Sequence, residues 1–90
     1  MAIATYFHPK SLSARQYDQA IKELEAAGAA NPPGRIHHSC FGPDGHLMVY
    51  EVWESQQAFE EYGPVLMPIL HKAGIDPGTP DLMPIHNLAI

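Results

Sequence analysis

Apolar and polar positions along the chain switch between two periods, and the switches predict six elements. Residues 2–8 (AIATYFH) are apolar, rich in strand formers and stopped by Pro9, which predicts a first strand. Ser13 with Gln16 three residues on forms a capping-box signature, and Leu12 stands where it would staple onto Tyr17. Tyr17, Ala20, Ile21, Leu24 and Ala27 then recur at three- and four-residue spacing, so an amphipathic helix runs from there to Gly28. Asn31-Pro32-Pro33-Gly34 reads as a rigid loop.

Residues 35–42 (RIHHSCFG) and 46–54 (HLMVYEVWE) flank Pro43-Asp44-Gly45, a type I turn sequence, and predict a β-hairpin. Pairing Gly42 with His46 would set Cys40 against Met48, His38 against Tyr50, His37 against Glu51 and Arg35 against Trp53. One face would then hold Ile36, His38, Cys40, Met48, Tyr50 and Val52; the other would hold Arg35, His37, Ser39, Glu51 and Trp53 together with Phe41, Leu47 and Val49. A slip of one residue would exchange these faces.

Ser55 caps a second predicted helix through Phe59 and Tyr62, with Gly63-Pro64 as an interruption and Pro68 as a kink before Gly74. A Pro/Gly-rich turn leads to a last strand over 81–90. The order β-α-β-β-α-β predicts a ferredoxin-like α+β fold: a four-stranded antiparallel sheet in spatial order 4-1-3-2 with two helices on one face. Strands one and three, the most continuously apolar, suit the centre, and the last strand, which carries Pro84, suits an edge.

Length and charge narrow the picture. Ninety residues make one domain spanning 1–90, too short for separate cofactor and substrate lobes. Ten acidic residues face only five basic ones, scattered as Lys10, Arg15, Lys22, Arg35 and Lys72, so no nucleic-acid partner is expected. No apolar run is long enough for a membrane span, and no leader pattern is visible, so no membrane partner is expected. The single cysteine, Cys40, cannot staple the fold, which points to a reducing cytoplasm and to oligomerisation as a source of stability.

Six histidines raise the question of a metal, but the adjacent His37 and His38 would point to opposite faces of a strand and no pair lies four apart on a helix. His8, His38 and His86 are the set that strand neighbours could bring together; no metal site is expected. Ser13 and Ser55 are committed to caps, and Cys40 reads as a small hydrophobe, so covalent catalysis is not expected. Glu51, in a central strand, needs a buried partner, for which Arg35 and His37 share its expected face. His86, on an otherwise apolar strand, and His38 are the candidate bases; Tyr50 and Tyr62 are candidate donors to an oxyanion. Trp53, Glu51, Phe59 and Leu66 are candidate substrate contacts.

Asp44-Gly45, the run Val49-Tyr50-Glu51-Val52-Trp53-Glu54-Ser55, Phe59 with the apolar helix to Pro68, and Pro84-Ile85-His86-Asn87 together resemble small proteins of the dimeric α+β barrel superfamily, in its antibiotic biosynthesis monooxygenase-like group. The resemblance spans nearly the whole chain. It implies a homodimer whose two sheets pack face to face, an apolar pocket between sheet and helices, and a tryptophan at the position of Trp53. A histidine common in the following helix is unmatched; Tyr62 stands near its place, with His71 further along.

The functional expectation is a cofactor-independent enzyme acting on a small, apolar, enolisable or phenolic metabolite, by monooxygenase-like oxidation or polyketide-type cyclisation. His86 or His38 would take a proton and tyrosines would stabilise the oxyanion. The alternative is a non-catalytic small-molecule-binding or scaffold protein, marked by histidines paired with backbone or Glu51 and by a purely apolar cavity.

Overall fold

A computed structural model describes residues 1–89. The elements are β1 (Ile3–Phe7), α1 (Ala14–Ala26), β2 (Arg35–Phe41), β3 (Met48–Trp53), α2 (Gln56–Lys72) and β4 (Asp81–Pro84). The sheet is antiparallel with order β2-β3-β1-β4, the expected ferredoxin-like topology. Both helices lie on one face, where Ile3, Leu24, Trp53 and Tyr62 form the buried core. Trp53 has no exposed surface; Phe59 meets it edge-on and Tyr62 lies tilted against it, both with ring centroids 5.7 Å away. No helix among the described residues is long and apolar enough to cross a membrane.

Local signals set the helix starts. Ser13 Oγ accepts from the Gln16 amide at 3.1 Å and the Gln16 side chain accepts from the Ser13 amide at 3.0 Å, closing the capping box. Asp44 Oδ1 accepts from the Ala14 amide at 2.8 Å, so the hairpin loop helps hold the first turn of α1. The second helix departs from expectation, for it runs unbroken through Pro64 and Pro68. Glu60, Pro64 and Pro68 are spaced by four and all exposed, so the carbonyls that the prolines leave unbonded lie on the solvent side of the helix.

The hairpin register is the main correction. Arg35 does oppose Trp53, but His37 opposes Val52, His38 opposes Glu51, Ser39 opposes Tyr50 and Cys40 opposes Val49. Leu47 leaves the ladder: its amide donates to Leu12 O at 3.0 Å and its side chain is buried, so pairing begins one residue later, at Phe41 with Met48. An irregularity between Arg35 and His37 absorbs the shift. The expected faces of β2 are therefore exchanged from His37 onward. His38 and Cys40 share the helix-covered face with Glu51 and Trp53, whereas His37, Ser39 and Phe41 share the uncovered face with Met48, Tyr50 and Val52. The last strand is also shorter than expected. It ends at Pro84, which cannot donate to a ladder, and Ile90 lies outside the described residues.

Candidate active site

Between the sheet and the helices lies a narrow cavity of about 80 Å³, partly open to solvent. That is smaller than most small-molecule sites, which run to about 300–1,000 Å³, so a polycyclic ligand would have to widen it. Its wall is mostly apolar: Phe7 and Val49 come from the sheet, Ile21 and Leu24 from α1, Leu66 and Leu70 from α2. Five polar side chains enter it, Tyr17, Arg35, His38, Glu51 and Tyr62.

Four of the five are organised around the Glu51 carboxylate, which is 5% exposed. Burying a charge without partners is costly, and Glu51 has three. Trp53 Nε1 donates to Oε1 at 3.0 Å, His38 Nδ1 lies 2.6 Å from Oε2, and Arg35 Nη1 lies 3.4 Å from Oε2. Arg35 Nη2 also donates to Ala30 O at 2.7 Å, which pins the guanidinium against the loop after α1. A carboxylate only accepts, so the Nδ1 of His38 carries the proton. In the neutral form of the ring the Nε2 lone pair accepts from the Tyr17 hydroxyl, 2.7 Å away. The two rings lie nearly parallel, with centroids 6.0 Å apart and planes at 11°. The result is a continuous chain from Tyr17 through His38 to Glu51 and Trp53.

The two cavity tyrosines differ. Burial pushes the Tyr17 hydroxyl up to about 12, with the nearby Cys40 and Glu51 adding to the rise and Arg35 opposing it. Burial likewise raises Tyr62, against the lowering effect of Arg35, and its hydroxyl already donates to Ala29 O at 2.7 Å. Tyr62 is thus tied to the backbone, while Tyr17 is tied to the imidazole. Burial also raises the Cys40 thiol, which keeps it in the neutral, unreactive form.

Of the residues singled out from sequence, the cavity gathers His38, Glu51, Tyr62 and Leu66. Trp53 and Phe59 sit in the core behind it; Trp53 reaches the site through its bond to Glu51. Tyr50 points away, onto the uncovered face beside His37. His86 is exposed and lies beyond the end of β4, and His71 is exposed on α2, so neither reaches the cavity. His8 pairs with Asp81 at 3.1 Å at the surface. Hence His8, His38 and His86 do not converge, and no metal-binding group of three side chains forms among the described residues. Glu51 takes Arg35 as expected, but its histidine is His38 rather than His37, because of the register.

The residue that the sequence reading passed over is Tyr17, taken as one more apolar position of the first helix. Its signal was a hydroxyl on an inward-facing stripe, which needs a polar partner when buried. The marker for a plain binding protein is half met, since His38 does pair with Glu51, yet the pair lies in the cavity and brings polar groups together there.

No protein-family model matches the chain, and no curated protein matches it. Solved structures do match in fold. SnoaB, described as a cofactor-independent oxygenase of Streptomyces nogalater, superposes with a TM-score of 0.63 at 16% identity, over 97% of this chain and 93% of that one. A monooxygenase of Streptomyces coelicolor, ActVA-Orf6 in complex with nanaomycin D, matches with a TM-score of 0.57 at 20% identity, over 99% and 91%. The haem-degrading protein Rv3592 of Mycobacterium tuberculosis matches with a TM-score of 0.58 at 14% identity, over 99% of each chain. The chain has the fold of the antibiotic biosynthesis monooxygenase-like proteins, as its sequence resemblance implied.

Proposed function

We propose that the protein is a cofactor-independent oxygenase of a small, neutral, largely apolar substrate that carries an enolisable or phenolic proton. The observation that carries this reading is the His38 ring: Glu51 fixes its Nδ1 at 2.6 Å and so leaves Nε2 as the basic nitrogen, in contact with the Tyr17 hydroxyl at the wall of an apolar cavity. Fold neighbours described as oxygenases support the choice of oxygenation over cyclisation. His38 is the final acceptor of the substrate proton. The enolate left behind gives one electron to dioxygen, and the two radicals join in a carbon–oxygen bond. The peroxide anion takes the proton back. Where the carbon holds a second hydrogen, loss of water leaves a carbonyl, so that CH2 and O2 become C=O and H2O. The positive charge that His38 gains, held in place by Glu51, balances the anion while it lasts.

A thermal-shift screen of neutral polycyclic phenols and anthrones, followed by mass spectrometry of each hit after incubation in air, tests the reading. A hit recovered with one oxygen gained and two hydrogens lost supports it. A stabilising compound returned unchanged supports a binding protein instead, and a rearranged product with the same atoms supports cyclisation. The uncovered sheet face, with Met83 at 52% and Phe41 at 43% exposure, is read as the surface through which two copies of the chain form a homodimer.

A further inference from the structure

We propose that Tyr17 is the catalytic residue that meets the substrate: it takes the substrate's proton as it passes its own to His38, so that Tyr17, His38 and Glu51 form a three-membered proton relay. The proposal rests on the reading of this cavity as a proton-transfer site. It goes beyond that reading by naming the group that touches the substrate and the charge state the site accepts.

A neutral imidazole has one basic nitrogen, and here Tyr17 fills it at 2.7 Å while Glu51 holds the other. No substrate proton can reach His38 without displacing the tyrosine or passing through it. The Tyr17 oxygen has two lone pairs, makes no other hydrogen bond among the described residues and belongs to a side chain of the cavity wall. Transfer through it needs no rotation of either ring. Displacement would move a side chain anchored one turn into α1, just past a closed capping box, in a helix start that Asp44 also holds.

Arg35 and Glu51 cancel and both tyrosines are uncharged, so with His38 in the neutral form that the relay requires, the polar end of the cavity has no net charge to offer a substrate ion. In the relay a C–H or O–H bond of the substrate breaks and its electron pair stays on the substrate. The proton bonds to Tyr17 Oη, the original Tyr17 proton bonds to His38 Nε2, and the positive charge comes to rest beside Glu51. No oxidant enters this step. Because burial disfavours a phenolate at Tyr17, the tyrosine conducts the proton and does not store the negative charge. The substrate class is therefore a neutral carbon or oxygen acid, with its acidic group presented to Tyr17 and its apolar body to the rest of the cavity.

The test separates proton transfer from oxygen chemistry. 2-Tetralone, a neutral apolar ketone, is incubated in heavy water under nitrogen, and protein-dependent deuterium uptake beside its carbonyl is read by mass spectrometry. Wild type is compared with Tyr17→Phe, His38→Ala and the double variant, each checked for folding by its melting transition. The relay predicts a loss of about 100-fold or more in each single variant and no further loss in the double. Binding of 2-naphthol, which copies the enol of 2-tetralone, should weaken about tenfold in Tyr17→Phe. Uptake that persists or rises in Tyr17→Phe, with tighter naphthol binding, overturns the relay and makes Tyr17 a mere cap on the base, while low uptake in His38→Ala would still uphold the function proposed above. Full uptake in His38→Ala overturns both readings, and so does a wild type that neither exchanges the ketone nor binds the naphthol.

Discussion

Each of the two faces of this one sheet carries side chains at odds with its surroundings. The face covered by helices holds the charges: Glu51 and Arg35 are mostly buried there, with His38 between them and Tyr17. The uncovered face holds the large apolar and aromatic side chains Tyr6, Phe41, Met48, Tyr50 and Met83. A sheet face left to water would normally be polar, and a face under helices apolar. A buried charge cluster and an exposed apolar surface each cost stability in a lone chain, which fits the proposed roles of the first as a reaction site and of the second as a dimer surface.

The largest break in this contrast comes from Glu51→Ala. It leaves the Arg35 charge with only a carbonyl for company and unpairs Trp53 Nε1, and should cost about 3–5 kcal/mol in urea unfolding. Replacing Glu51 and Arg35 together by leucine should recover most of that loss while leaving the cavity without an anchor for His38; a double variant as unstable as the single would show that packing, not charge, is at stake. On the other face, Tyr50→Lys places a charge in the middle of the apolar surface. Sedimentation velocity should find the wild type dimeric at micromolar concentration and the variant monomeric, and a wild type that runs as a folded monomer would contradict the assembly.

Smaller effects sharpen the same comparison. Thr5 sits opposite Glu51 with its hydroxyl buried and without a hydrogen-bond partner among the described residues. Thr5→Val should therefore leave stability unchanged or raise it by about 1 kcal/mol, whereas a clear loss would mean that the hydroxyl has a role in the site. The smallest effect is alkaline. The Tyr17 hydroxyl titrates near 10 in an unfolded chain and at about 12 here, so the unfolded state releases its proton first. Its contribution to stability is complete below the lower value and is lost as pH rises through the upper one. Tyr17→Phe should flatten the fall in melting temperature over that range relative to wild type, as differential scanning fluorimetry would show.

Much of the fold was legible because its signals are local. The Ser13 and Ser55 caps, the Pro43-Asp44-Gly45 turn and the Pro84 edge each act within a few residues, and each stands where the pattern put it. The site was less legible because its members lie far apart in the chain and meet through the sheet. Glu51 announced its need for partners, and Arg35 was found on its face. The choice between His37 and His38 turned on whether Leu47 paired with Phe41 or with the backbone of Leu12, a long-range competition that no window of sequence contains. His86 drew attention as a histidine on an apolar strand, but that strand ends two residues before it.

The sequence by itself determined the six elements, their order, the central and edge strands, and the presence of a buried carboxylate in search of a histidine, because periodicity, capping and proline act at short range. Only the tertiary structure decided which histidine answers and which tyrosine stands behind it. Side chains alternate across a strand with a period of two, so the single-residue shift beside Arg35 is enough to send His37 to the uncovered face and His38 to the cavity.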